Sequence, residues 1–307
     1  MRLTGLFAAL ATPVDAEGSV DLETADRICD FVLERGVDGV CIGGATGEFP
    51  RLELAERLAI IRRVQQRVPR GTGIVTAIGS SSLPRVLALG TAAAEAESRA
   101  VLLPMPVFFR YQQEDLAAYC AHVAGQVSLP CLLYDLPDFA TPLEPDTAVR
   151  LMDRERNVVG IKDSSGRPEN LLRFPEARRD REWTLLVGDD RNALAGLDAG
   201  WDGGISGVAC CCPELMVALH HSHRRGDHAE ATRCQGLLDE LITELSVLPT
   251  PWGVRVALGV RGVDTGPLPL PLGPERVHQI GRFEKWLPAW LDRADIPGLR
   301  PLAQRVV

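Results

Sequence analysis

The chain has 307 residues, of which 46% are hydrophobic and 24% charged, and its formal net charge is -8. That balance describes a globular chain large enough to bury a core without staples, and its acidity weighs against nucleic acid and anionic membrane surfaces as partners. No apolar run approaches a membrane span, the N-terminus lacks a charged-then-apolar leader, and the eight cysteines form no CxxC pair, so the expected setting is cytoplasmic, with the thiols buried as small hydrophobes.

The first apolar run, residues 5–12, ends in Thr12-Pro13. From Asp21 the spacing turns helical, with Leu22, Ala25, Ile28, Cys29, Val32 and Leu33 on one face and Gly36 as the stop. A second strand over residues 37–43 runs into Gly44-Ala45-Thr46-Gly47-Glu48, and the helix after it carries Leu54, Leu58, Ile61, Val64 and Val68 on its inner stripe. Strands follow at residues 74–78, 101–103, 131–134, 158–162, 185–187 and 204–208, with helical segments between them and an irregular stretch over residues 104–111. Beyond the eighth strand the alternation stops. Residues 215–224, 229–245, 251–259 and 275–290 read as helices, broken by a Pro-rich stretch at 266–274.

Eight strands alternating with helices at spacings of about 20 to 35 residues suit right-handed crossovers, and eight such units close into a (β/α)8 TIM barrel. An open doubly wound sheet is the alternative, but no GxGxxG follows the first strand. The expected organisation is a barrel core over residues 1–214 and a C-terminal helical extension over 215–307 that includes the last barrel helix.

The sixth strand holds the most informative residue. Val158-Val159-Gly160-Ile161 is apolar on both faces, yet Lys162 comes next, where the run should continue inward. A buried ammonium must be paired, sit near a mouth, or shift toward the neutral amine. Of 33 basic side chains only Lys162 and Lys285 are lysines. A chain that otherwise uses arginine keeps, at this one strand end, the side chain that can lose its proton and form an imine. The bland reading is a lysine stem lying on apolar surface with its head in water.

Catalytic groups of such a barrel come from the C-terminal strand ends and the loops after them. Those ends are Thr12, the 44–48 loop, the 106–111 loop, Tyr134, Lys162, Gly188-Asp189-Asp190 and Ile205-Ser206-Gly207. Lys162 and Tyr134 end sequence-adjacent strands, so their heads can meet over the mouth, where a tyrosine can pass protons. Backbone amides of the Gly44–Gly47 turn can hold a carboxylate.

Together Thr12-Pro13, Gly44-Ala45-Thr46-Gly47-Glu48, Tyr134 with Pro137, Gly160-Ile161-Lys162-Asp163 and Gly188-Asp189-Asp190 resemble the dihydrodipicolinate synthase / N-acetylneuraminate lyase family, in the right order over about 210 residues. The resemblance implies a class I mechanism without metal or dissociable cofactor. Lys162 forms an imine with the ketone of pyruvate or another 2-oxo acid, Tyr134 shuttles protons, and Thr46 with the amides beside it, from Ala45 to Gly47, holds the carboxylate. It also implies a homotetramer built from dimers.

Departures from the family pattern bear on the substrate. Ala45 stands where the family commonly has a hydroxyl residue, and Phe108 where a partner tyrosine is expected, with Tyr111 near enough in sequence to substitute. The arginine that binds the aldehyde's carboxylate in the synthases is replaced by Asp138-Phe139-Ala140. Asp189, Asp190 and Ser206, with Ile205 beside them, offer a lining suited to a hydroxylated substrate. Phe139 and Phe108 offer a rest for an aromatic aldehyde. The expected function is therefore an aldolase or dehydratase acting on a 2-keto-3-deoxy sugar acid. A synthase-like pyruvate condensation and a catalytically impaired 2-oxo-acid-binding protein are the alternatives.

Other features read as structural. Cys210-Cys211-Cys212 on a strand end would point to opposite faces and cannot chelate together. His220 and His223 share a helix face that reads as solvated, Glu48 reads as a cap or brace of the next helix, and Asp189-Asp190 as a helix N-terminal or rim pair.

Overall fold

The structure is a computed structural model and describes residues 2–300. Its eight strands are β1 (Gly5–Ala9), β2 (Gly39–Ile42), β3 (Gly73–Ala77), β4 (Ala100–Pro104), β5 (Cys131–Asp135), β6 (Val158–Asp163), β7 (Thr184–Val187) and β8 (Gly203–Ser206). All pair in parallel in chain order, and β8 returns to β1, so the sheet closes into a (β/α)8 barrel. The helices around it are α1 (Leu22–Leu33), α2 (Leu54–Arg67), α3 (Leu83–Glu95), α4 (Gln113–Gln126), α5 (Pro145–Arg154), α6 (Pro168–Arg178), α7 (Ala193–Asp198), a single turn α8 (Val208–Cys211) and α9 (Pro213–Arg224). The chain continues with α10 (His228–Leu245), α11 (Trp252–Val260) and α12 (Pro274–Arg293). The expected boundary at 214/215 falls inside α9, and residues 301–307 of the expected extension lie outside the described residues.

Local sequence explains the helix starts. The Asp21 carboxylate accepts from the amides of Glu23 and Thr24 and so opens α1, while α5 and α6 begin on Pro145 and Pro168, whose missing N–H costs nothing there. Strand side chains alternate between two apolar clusters. Phe7, Ala9, Cys41, Val75, Leu102, Leu132 and Ile205 fill the barrel interior, and Leu6, Ala8, Val40, Val101 and Leu133 pack outward under the helices. The barrel floor depends on one large ring beside two missing side chains. A Cβ on Gly39 would lie 2.6 Å from the Phe7 ring, and one on Gly73 2.7 Å from it.

Two sequence-based expectations need correction here. The eighth strand stops at Ser206, because the Ser206 hydroxyl accepts from the amide of Ala209 and the Asp190 carboxylate from that of Val208, which opens a helical turn. Cys210 and Cys211 therefore sit on α8 rather than on a strand; with Cys212 they are fully buried. His220 is not solvated. It is buried on the inner face of α9, where desolvation lowers its pKa to about 4, while His223 faces Asp198 at 3.2 Å.

Gly39→Ala is expected to lower stability by about 3 kcal/mol, the upper part of the range for overpacking. Its Cβ would meet the carbonyl oxygen of Gly73 at 2.4 Å as well as Phe7. Urea unfolding of the variant beside the parent measures this, and an unchanged midpoint would refute the floor as described.

Candidate active site

Tyr134 and Lys162 are register partners on β5 and β6, so both side chains leave the same face and enter the barrel near the C-terminal end of its strands. Lys162 Nζ donates to Tyr134 Oη at 3.1 Å and lies 4.2 Å from the centre of the tyrosine ring. Only 5% of Lys162 and 2% of Tyr134 are exposed. The hydroxyl and the ring face together replace part of the hydration that the amine has lost. Room for the lysine comes from Gly188, where a Cβ would lie 2.6 Å from Lys162 Cε, 2.1 Å from Ser164 Oγ and 3.1 Å from the Asp163 carbonyl oxygen.

The pair opens into a cleft of about 360 Å³. One wall is Ala45 and Thr46 after β2; others come from Asp138 and Phe139 after β5, from Ser164, Ser165 and Gly166 after β6, and from Gly188, Asp189, Asp190 and Arg191 after β7. The β2 loop is wound tightly, with the amide of Gly47 bonded to the Gly44 carbonyl at 3.1 Å and that of Glu48 to Ala45 at 2.9 Å. Thr12 Oγ1 donates to the Gly47 carbonyl at 2.8 Å. Among the described residues, the N–H groups of Ala45 and Thr46 have no protein acceptor, and a pair of adjacent amides suits a carboxylate.

Two carboxylates on the β7 side of the mouth are held by protein donors. Asp189 accepts from the amide of Arg191 and so caps the 3-10 turn Asp190–Asn192. Asp190 bonds the amide of Val208 at 3.2 Å and the Ser206 hydroxyl, and loss of water around it raises its pKa to about 6 against the pull of Lys162. Behind the cleft, Asp135 accepts from the amide of Leu143 at 2.9 Å; burial raises it to about 6, with Asp163 adding repulsion. Asp163 in turn accepts from the Ser165 amide at 2.7 Å and the Asn170 side chain at 2.9 Å. These two strand-end carboxylates pin the loops after β5 and β6.

Several expected site residues stand elsewhere. Phe108 is 87% exposed, edge-on to Phe109, and Tyr111 borders a different hollow with Ser80, Asp115 and Tyr119. The loop after β4 is tied back to the β5 loop, through the Val107–Ala140 bridge and the Tyr111 amide bonded to Thr141 Oγ1, and so carries both rings off the cleft. Among the described residues, Tyr134 has no second tyrosine beside it in the cleft. Ile205 is buried in the barrel interior, Ser206 is spent on Asp190 and Ala209, and Gly47 shapes the turn without lining the cleft. Glu48 makes no helix cap. Its carboxylate binds Arg51 at 2.9 Å and buried Arg255 of α11 at 3.1 Å, and Arg255 also bonds the carbonyls of Thr265 and Pro267 at 2.8 Å. The sequence reading missed the wall built by the end of α10 and the start of α11, including Ile242, Ser246, Thr250 and Val254. Their spacing is that of any half-buried helix, and only the packing of the extension over the mouth gives them this place.

A closed barrel with a buried lysine against a tyrosine hydroxyl at its mouth is the architecture of an imine-forming class I enzyme. The comparisons give the family. The dihydrodipicolinate synthetase family model matches residues 2–289. A 4-hydroxy-tetrahydrodipicolinate synthase of Bartonella bacilliformis is 30% identical over 275 residues, covering 89% of this chain and 92% of the relative. The structure of the 4-hydroxy-tetrahydrodipicolinate synthase of Methylacidiphilum fumariolicum SolV superposes with a TM-score of 0.87 at 27% identity, covering 96% of this chain and 99% of the other. A prophage protein of the dihydrodipicolinic acid synthase family from E. coli K12, determined in complex with pyruvate, gives 0.86 at 27% identity, covering 94% and 98%. The chain belongs to the dihydrodipicolinate synthetase family, whose members are pyruvate-dependent lyases and synthases, and is an enzyme of that class.

Two outcomes are expected. Gly188→Ala should push the Lys162 stem from its seat, and covalent capture of pyruvate by borohydride should fall at least about tenfold while the circular dichroism spectrum is retained. Asp135, with a pKa raised from 3.8 to about 6, contributes stability that is fully present below pH 3.8 and lost as pH rises through 6. Asp135→Asn keeps the acceptor for Leu143, so it should match the parent at pH 4 and exceed it at pH 8, by up to about 3 kcal/mol. Paired unfolding curves at the two pH values test the sign.

Proposed function

We propose that the chain is a Schiff-base-forming lyase, an aldolase or dehydratase, that acts on pyruvate or a 2-oxo acid and in particular on a 2-keto-3-deoxy sugar acid. The observation that carries this is the buried Lys162–Tyr134 contact of 3.1 Å inside the barrel mouth. The Lys162 amine attacks the ketone carbon, and the carbonyl oxygen leaves as water. In an aldol cleavage the iminium left behind accepts the electron pair of the breaking carbon–carbon bond; in a dehydration it accepts that of the adjacent C–H bond as the proton leaves, and the resulting enamine expels the β-hydroxyl as water. Tyr134 Oη gives and takes the protons of carbinolamine formation and loss. The free amides of Ala45 and Thr46 receive the carboxylate. These residues do the chemistry with no metal or dissociable cofactor.

The sugar-acid preference is supported by the outer cleft. Where a synthase would carry an arginine after the β5 proline, Asp138 and Phe139 line the wall, and the hydroxyls of Ser164 and Thr250 stand nearby. Such a wall suits a chain of hydroxyls. A synthase-like condensation is the second reading, favoured by the synthase names of relatives at 30% identity. The same proposal carries the homotetramer, for which exposed Phe108, Phe109, Leu270 and Val277 supply apolar contact surface.

Borohydride reduction with pyruvate, followed by intact mass and peptide mapping, should place one adduct on Lys162. Lys162→Arg should give none. Tyr134→Phe should still trap pyruvate but lower kcat by roughly 100- to 10,000-fold, the usual size of a proton-transfer contribution. A missing adduct on the parent chain with pyruvate and with longer 2-oxo acids would turn the assignment toward a binding protein.

A further inference from the structure

We propose that Arg191 binds an anionic group at the far end of the substrate, so that the preferred 2-oxo acids end in a carboxylate or a phosphate; this rests on the imine reading of Lys162. Among the described residues two cations line the cleft, Lys162 on its floor and Arg191 on the loop after β7. In the imine reading Lys162 is consumed as the nucleophile, and the carboxylate next to the ketone has the amides of Ala45 and Thr46. Arg191 is then left for the other end of the molecule.

Its surroundings leave the guanidinium free for that task. Buried arginines of this chain are tied down by protein acceptors, Arg255 by Glu48, Arg261 by Glu214 and Arg57 by the carbonyls of Ala77 and Gly79, whereas Arg191 is exposed at the cleft rim. Arg191 has no ion pair among the described residues; its side chain donates only to Thr243 Oγ1 of α10, at 3.4 Å. The two carboxylates next to it in sequence are occupied. Asp189 accepts from the Arg191 amide at 3.2 Å and from the Asn192 side chain at 3.4 Å, and Asp190 is turned to Val208 and Ser206. Thr243 donates its own hydroxyl to the Asp239 carbonyl at 2.8 Å, so its oxygen is oriented to receive Arg191. One N–H of the guanidinium is thereby used, and a planar fork remains, the geometry that a carboxylate or phosphate satisfies bidentately.

Asp138 decides the side of the cleft. It has no ion-pair partner among the described residues and would repel an anion placed against the β5 loop, while accepting from substrate hydroxyls. An anion is therefore directed to the Arg191 side, and hydroxyls to Asp138. The synthase-type arginine is absent from the β5 loop, and the positive charge of the outer cleft stands on the β7 loop instead.

The test reads half-saturation of borohydride trapping on Lys162, which needs no turnover. Pyruvate is compared with six-carbon 2-oxo acids that end in a carboxylate, a phosphate ester or a hydroxyl. The parent chain should half-saturate with the carboxylate- or phosphate-ended acid at a concentration roughly 10- to 150-fold below that of the hydroxyl-ended one, the span of a hydrogen bond to a charged group. Arg191→Gln should erase that difference and leave pyruvate trapping unchanged, and Arg191→Lys should restore part of it. Equal half-saturation in the parent, or an Arg191→Gln effect as large on pyruvate as on the anion-ended acids, overturns the proposal. No adduct with any of these acids overturns the imine reading and this proposal with it, whereas trapping without an anion preference overturns this proposal alone.

Discussion

An amine taken out of water must find another polar partner, and in this barrel the partner is supplied by strand register. Tyr134 is opposite Lys162 because β5 and β6 run parallel with those two residues matched. A slip of one residue would send either side chain outward, under the helices, and leave the other alone in an apolar interior. The contact therefore depends on barrel closure, and its position near the mouth depends on the apolar layers beneath it. Phe7 fills the floor, Leu132 lies two residues below Tyr134 on β5, and Leu186 stands beside Lys162 in register on β7, so the polar groups have only the mouth to open toward.

Arginine and lysine have separate duties in this chain. Arg255 joins the β2 loop to α11 and to the segment after it, and Arg261 and Arg35 share Glu214 between α1 and the start of α9. Those guanidinium groups are permanent charges used as multi-toothed connectors, a role that a lysine with its single nitrogen performs poorly. Lys162 is the reverse case. It has one hydroxyl contact and no ion pair among the described residues, so its single nitrogen is not committed to bracing the fold.

How much of this was legible in the sequence follows from the range of the forces involved. Strand and helix order was legible, because burial on both strand faces and on one helix stripe repeats along the chain. Lys162 was legible because a charge interrupts an apolar strand. What escaped was set by contacts between segments far apart. The Glu48–Arg255 bond spans 207 positions, and nothing near Glu48 separates it from an ordinary helix cap. Phe108 and Tyr111 align with a catalytic partner by order alone, yet the Val107–Ala140 bridge and the Thr141 hydroxyl draw their loop aside. The turn after Ser206 was hidden because two side chains, Ser206 and Asp190, open it against an apolar run that reads as strand.

The same long-range contacts give the cleft its division of labour. The floor is apolar and tightly packed, so the polar groups it offers to the cleft are one amine, one hydroxyl and two amides. The rim is built from loops and from the end of α10, where side chains can change without touching the floor. Asp138 and Arg191 stand on different rim loops and both lack an ion-pair partner among the described residues. Asp189 and Asp190 also line that rim without an ion pair, but neutral protein donors hold them, which Asp138 lacks among the described residues. If Asp138 and Arg191 met each other they would gain little in an exposed pair; kept apart, they stand in the proposed reading against the hydroxylated and the charged parts of one extended substrate.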